Sequence, residues 1–298
     1  WFVARRGTAI GIALVGTSLG GVFVPQLVVS LIQAHGWRES FMWLTLIPLA
    51  MMVLVALLVR LPRADGPQPL GAGQPVNDTR AGRAAANAAL PDIGYRQALR
   101  TRTFWALALV AMCTFYSIMA VSANLFLHMR DMQFSLQEAG NALGAMFGLG
   151  MVGKFLFGFL ADLFRPKAVF LANLAIMAAG ALLLATVNPA LVWYALVLFG
   201  LGWGGLYTMI QLLAVNAFGL SSAGKILGTV TMCDAITAGL GIWFTALLYD
   251  RFGSYQIAFG IMCALVLAAL AAATLVRNER VHLAAQRAPG SAAAPAAL

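Results

Sequence analysis

Residues 191–218 read LVWYALVLFGLGWGGLYTMIQLLAVNAF, without a single Asp, Glu, Lys, Arg or His. The run is long, continuous and does not alternate, so it reads as a helix rather than a strand. Roughly 20 mostly apolar residues suffice to cross the hydrocarbon core of a bilayer. Its glycines, Gly200, Gly202, Gly204 and Gly205, suit a membrane helix better than a soluble one. Working outward, seven more stretches have the same character: 8–33, 39–60, 103–128, 136–161, 168–187, 223–249 and 255–276. The expected fold is an all-α integral membrane bundle of about eight transmembrane helices.

Composition agrees. Of 298 residues, 61% are hydrophobic and 10% charged, which is too few charges to cover a soluble fold. Mean hydropathy is +0.86. The net charge of +9 invites a nucleic-acid reading. However, the basic residues lie between apolar runs and form no patch with interleaved aromatics. The cysteines, Cys113, Cys233 and Cys263, fall inside apolar runs without metal or disulfide spacing, and read as buried, inert thiols. Neither a metal nor a cofactor is expected. The first residue is Trp1, no signal peptide precedes it, and the chain reads as lacking its natural N-terminus.

One connection is long. Residues 61–101, rich in Gly, Pro, Ala and Arg, read as a linker ending in a short surface helix at 93–101. Residues 278–298, ending in SAAAPAAL, read as a disordered tail. With the N-terminus in the cytoplasm, fifteen of the nineteen basic residues fall in cytoplasmic segments and only Arg38, Arg130 and Arg251 in external loops. Lys154 lies within a helix. That asymmetry obeys the positive-inside rule and predicts a multi-pass protein of the inner (plasma) membrane, with linker and C-terminus cytoplasmic.

Residues 11–41 and 228–258 repeat one pattern. Gly11 matches Gly228 and Gly36 matches Gly253, and each segment runs as a Gly-punctuated helix into a short external turn and another helix. In that register Thr17 is the repeat mate of Asp234. Two helices precede the linker and six follow it. If the halves are equivalent, the first lacks four helices. Internal repeats about a pseudo-symmetry axis are a transporter signature, with substrate bound between the halves. Chance similarity of two Gly-rich hairpins is the plainer alternative.

Residues 1–16, WFVARRGTAIGIALVG, run from an aromatic pair through basic residues to small residues spaced along a helix. They resemble the approach to the fifth helix of monocarboxylate-type and oxalate/formate-type transporters of the major facilitator superfamily. Residues 36–41, GWRESF, look like the start of that family's sixth helix. Residues 158–167, GFLADLFRPK, resemble its cytoplasmic loop motif between helices eight and nine. Gly158, Asp162 and Lys167 fit the motif. Leu163 stands where a basic residue is usual, and Arg165 where a glycine is usual.

The resemblance implies helices five to twelve of a twelve-helix fold. Residues 1–60 would hold the last two helices of the first bundle and 102–277 the second six-helix bundle, joined by the linker 61–101 and followed by the tail 278–298. It also implies a gating role for Gly158, Asp162 and Lys167. Glycine permits close helix approach, and a carboxylate can cap a neighbouring helix N-terminus. An ordinary solvated acid is the bland reading of Asp162.

Only Lys154 and Asp234 carry charge well inside the spans, where an ion costs about 2.5–3.5 kcal/mol at a helix centre. By resemblance, Lys154 stands where a cation, usually arginine, meets the substrate carboxylate. Members with an acid one turn earlier differ from this chain, which has Gly150 there. Oxalate/formate-type members place a second cation in helix eleven, where this chain has Asp234. Asp234 is therefore expected to take a proton, Lys154 to attract an anion, and the two to pair when the site is empty. A structural ion pair, or snorkelling by Lys154, is the alternative.

Asn124, with Ser117 and His128, shares a face of 103–128, and Trp203, Tyr207 and Gln211 recur every four residues in 191–218. Lys154, Asn124, Tyr207 and Gln211 form the expected substrate set, although each lone polar group is more often a packing hydrogen bond. The expected function is proton-coupled, alternating-access transport of a small organic anion, monocarboxylate-like. The alternative is efflux of a neutral or cationic compound. A membrane enzyme would show HExxH, GxSxG or paired His and Asp, and the chain has none of these; it also lacks a Walker motif. No enzyme activity is expected, and a non-transporting sensor is the last reading left open.

Overall fold

A computed structural model describes residues 5–58 and 90–287, apart from a few side chains between 21 and 33 and those of residues 136 and 287. The described residues are helical, with no strand among them. The first element, α1 (Arg6–Leu58), has 53 residues. At about 1.5 Å per residue it would span about 80 Å, far beyond the hydrocarbon thickness of ~30 Å. It is broken at Gly36, whose φ of 74° and ψ of 167° only glycine adopts freely. The predicted stretch 8–33 and, as far as residue 58, the stretch 39–60 are thus two arms of one kinked element.

The rest of the chain follows as α2 (Tyr95–Ala98), α3 (Arg102–Asp131), α4 (Leu136–Leu163), α5 (Pro166–Ala185), α6 (Val192–Phe218), α7 (Ala223–Phe252), α8 (Gln256–Ala273) and α9 (Glu279–Arg287). Seven windows among the described residues are long and apolar enough to cross a bilayer: Ala34–Leu58 and one in each of α3 to α8. The eighth predicted span, 8–33, is helical as the first arm of α1, but includes side chains outside the described set.

The ends are marked by local chemistry. Ser135 and Glu138 close a capping box at the start of α4, Thr101 accepts from the Phe104 N–H at the start of α3, and Pro166 opens α5. Gly253 ends α7 in the left-handed conformation, with φ 66°.

Helix α6 is the hub. It packs along α4 on one side and α5 on the other, while α3 packs against α7 and α8, and α5 closes onto α8. Glycines let backbones touch: a methyl on Gly204 would strike the Gly150 carbonyl, and one on Gly202 would lie 2.6 Å from Met177 Cβ. The first arm of α1 lies along α4 and reaches α6. The second arm exposes its large apolar side chains, Trp37, Phe41, Trp43, Met52 and Leu58 among them. Exposed apolar surface on this scale belongs in lipid or against another helix.

Two expectations need correction or limits. Residues 279–287 were expected to be disordered and instead form α9. Thr103 hydrogen-bonds Glu279, and Arg280 is 3.2 Å from Asp92 while donating to the Leu90 and Pro91 carbonyls. These ties overcome the weak stability of a nine-residue helix. The tail 288–298 and the linker through residue 89 lie outside the described residues. The end of the linker keeps a helix, Tyr95–Ala98, shorter than the expected 93–101.

Candidate functional site

The seam between α1 and α4 is built on glycine. A methyl on Gly158 would lie 2.5 Å from the Gly7 carbonyl oxygen, and one on Gly11 2.6 Å from that of Lys154. This close approach brings two charged side chains of α4 onto α1. One turn beyond Gly158, the Asp162 carboxylate accepts from the N–H groups of Gly7 at 2.9 Å and Thr8 at 2.7 Å, and from Thr8 Oγ1 at 2.6 Å. Those N–H groups belong to the first turn of α1 and have no partner within their own helix. The helix dipole adds to the attraction.

One turn before Gly158, Lys154 is buried and points at α1. Its Nζ donates to Thr17 Oγ1 at 2.7 Å and Ser18 Oγ at 2.6 Å. The ammonium also sits 5.6 Å from the centroid of the Trp203 ring on α6, within cation–π range. Trp203 explains Gly150: a methyl there would lie 2.9 Å from the indole, so the indole occupies the room that a side chain at 150 would need.

One turn further along α6, Tyr207 packs edge-on to Phe115 with centroids 4.3 Å apart and lies close enough to Asp234 of α7 to feel its charge. Asp234 is a buried residue whose carboxylate oxygens are not fully enclosed and make no hydrogen bond among the described residues. The Trp203–Tyr207 face of α6 thus carries a cation beside one residue and an acid beside the next. Lys154 and Asp234 are not an ion pair here, contrary to the expected pairing; the ammonium instead donates to two hydroxyls of α1.

The remaining expected residues divide. Asn124 is buried and spends its amide on the Ala120 carbonyl of its own helix, at 2.9 Å. Gln211 is half-buried, one turn past Tyr207. Lys167 is not at the seam; it donates to the Thr274 carbonyl at 2.7 Å and ties the start of α5 to the end of α8. His128 is buried between Tyr255 and Phe259, away from this face.

The family profile of the Major Facilitator Superfamily matches residues 1–242. The chain belongs to the Major Facilitator Superfamily. Two solved structures share the fold. One is FucP, a superfamily transporter in the outward conformation, matched at TM-score 0.67 and 19% identity over 91% of this chain and 68% of that one. The other is a variant of FucP, the E. coli fucose:proton symporter, at TM-score 0.67 and 19% identity, covering 91% and 69%. A curated relative, the fujikurins efflux protein of Gibberella fujikuroi (strain CBS 195.34 / IMI 58289 / NRRL A-6831), is 34% identical over 74 residues. That match takes in 25% of this chain and only 16% of the relative, so the chain spans a small part of it.

Within this superfamily member, sequence reasoning missed three contributors: Thr8, Ser18 and Trp203 as a partner of Lys154. Thr17 stood out only as the repeat mate of Asp234. The missing signal was spatial, since Thr17 and Lys154 are 137 residues apart. Only a register for the α1–α4 seam would have found the contact. The glycine series Gly7, Gly11 on one helix and Gly158 on the other was the available clue.

Proposed function

We propose that this superfamily member is a secondary active transporter of a small organic anion, monocarboxylate-like, coupled to protons and working by alternating access in the plasma membrane, with linker and C-terminus cytoplasmic. The observation that carries the reading is Lys154. It is a buried cation, 3% exposed, whose contacts are two neutral hydroxyls and an indole face, with no carboxylate to balance it among the described residues. Such a charge is costly in a membrane, and an anionic ligand would complete it. Asp234, buried and without a hydrogen bond among the described residues, supplies a group that gains or loses a proton as its surroundings change from wet to dry. The two flank one face of α6, so protonation of one alters the field at the other. Asp162, on the first turn of α1, would hold the cytoplasmic side shut and let go when it opens.

A second reading, efflux of a cationic compound with Asp234 as counter-charge, is favoured by the same lone acid and by the local likeness to an efflux protein. Uptake of labelled lactate into proteoliposomes, with and without an inward proton gradient, separates the two. Gradient-driven accumulation is expected, lost in Lys154→Ala. Asp234→Asn is expected to keep lactate exchange while losing the response to the gradient. Gradient-driven export of a cationic dye that ignores Lys154→Ala would favour the second reading and remove the first.

A further inference from the structure

The hydroxyls that hold Lys154 differ in what they can do. The Thr17 O–H donates to the Leu14 carbonyl of its own helix at 2.8 Å, so only its lone pairs face the ammonium. Ser18 is 1% exposed and accepts from Lys154, and its own proton has no acceptor among the described residues. An ammonium has three donors. Two are taken by these hydroxyls, and the indole face of Trp203 lies on a further side. A carboxylate arriving from the open side meets the oxygen of Thr17 before that of Ser18. Thr17 is the exposed one of the pair and, as a pure acceptor, repels an anion. The Ser18 O–H can instead donate to one.

We propose that Thr17 and Ser18 form a hydroxyl lock on the anion site. With the site empty they fasten Lys154 to α1; an incoming carboxylate takes the place of Thr17 on the ammonium and receives the free proton of Ser18 as a hydrogen bond. This rests on the reading of Lys154 as the anion anchor. The same displacement removes one of the two hydrogen bonds by which Lys154 clamps α4 to α1. A second clamp, at Asp162, lies eight residues along α4, about 12 Å away. Anion binding thus favours the state in which α1 is released at the level of Lys154, which is the differential affinity that a conformational shift requires. Thr17 opposes binding and Ser18 supports it, so the pair sets how strongly a carboxylate must compete.

The test is lactate uptake by the protein in proteoliposomes, read as KM. Thr17→Val is expected to lower KM about fivefold, and Ser18→Ala to raise it about tenfold, the scale of a hydrogen bond to a charged group. Thr17→Ser, which restores the acceptor, brings KM back toward the unmodified value. A purely structural role would move both KM values in the same direction, so shifts of one sign, or none, overturn the lock. Lys154→Ala separates the levels: lactate uptake at an unchanged KM sinks the anchor and the lock together. Loss of uptake in Lys154→Ala with same-sign shifts at 17 and 18 sinks the lock alone. Spin labels at Ile12 and Val152, both exposed, give a readout that needs no turnover. Added lactate is expected to widen the α1–α4 distance, with Thr17→Val widened before lactate is added. An unchanged distance in that variant overturns the lock even if its transport is poor.

Discussion

Helices α1 and α7 carry one glycine pattern and meet different surroundings. Gly7, Gly11 and Gly36 recur at the same spacing as Gly224, Gly228 and Gly253. The last pair both turn the chain with positive φ, 74° and 66°. Yet Gly7 and Gly11 are pressed against the backbone of α4, whereas nothing described lies within 4 Å of a methyl placed on Gly224 or Gly228. The midpoint residues differ in the same sense. Thr17 on α1 is engaged by Lys154, while Asp234, in register on α7, has no hydrogen-bond partner among the described residues. The glycines of a repeat therefore mark where a close approach is possible, and contact decides which of them carry stability.

The largest expected effect follows from that contrast. Gly158→Leu would drive a side chain into the Gly7 carbonyl and should cost about 3 kcal/mol, at the upper end of overpacking. Gly228→Leu should cost less than about 0.5 kcal/mol if its face stays open. Thermal unfolding in detergent measures both. Equal losses would break the comparison by showing that the α7 face is filled in the working protein.

Next comes the clamp at Asp162. Asp162→Asn removes the charge from the first turn of α1 and one of its acceptors, for a loss of about 1–2 kcal/mol. Amide exchange at Gly7 and Thr8 should quicken correspondingly, with little change at Ser221 on the other repeat. Unchanged exchange at Thr8 would mean that the glycine contacts alone hold the seam.

How much of this was legible in the sequence depends on the kind of signal. Helix existence was plain, since spans such as 191–218 are uncharged throughout and mostly apolar. That same uniformity hid their orientation: a helix apolar all round does not say which face meets lipid and which meets protein. Gly158 and Asp162 stood out because they fit a contiguous loop motif of the family that 158–167 resembles. Thr17 and Ser18 did not, because their meaning depends on a partner on another element. The expected Lys154–Asp234 pair failed for a related reason, since charge pairing was assumed where two nearby hydroxyls were enough. The helix α9 was missed because its anchors, Asp92 and Thr103, lie far back in the chain.

The smallest expected effect concerns the start of α7, which is held by an acid much as α1 is, though by other means. Asp92, near the end of the linker, accepts from the N–H groups of Leu220 at 3.1 Å and Ser221 at 2.8 Å in the turn that enters α7, and pairs with Arg280 of α9. Burial pulls the Asp92 carboxyl upward, but the hydrogen bonds from Ser221, the Arg280 charge and the Leu220 N–H outweigh it and hold the group below its ordinary value of 3.8. A carboxyl lowered by folding contributes stability that is full above its ordinary value and fades as pH falls through the lowered one. The clasp should therefore be intact at neutral pH and fail only in acid. Being partly exposed, it is worth about 1 kcal/mol after screening. Asp92→Asn at pH 7 should quicken exchange at Ser221 about fivefold, leave Thr8 untouched, and abolish the acid-dependent step in Ser221 exchange below pH ~4. If that step survives in the variant, another acid holds the turn, and the likeness between the two helix starts is only apparent.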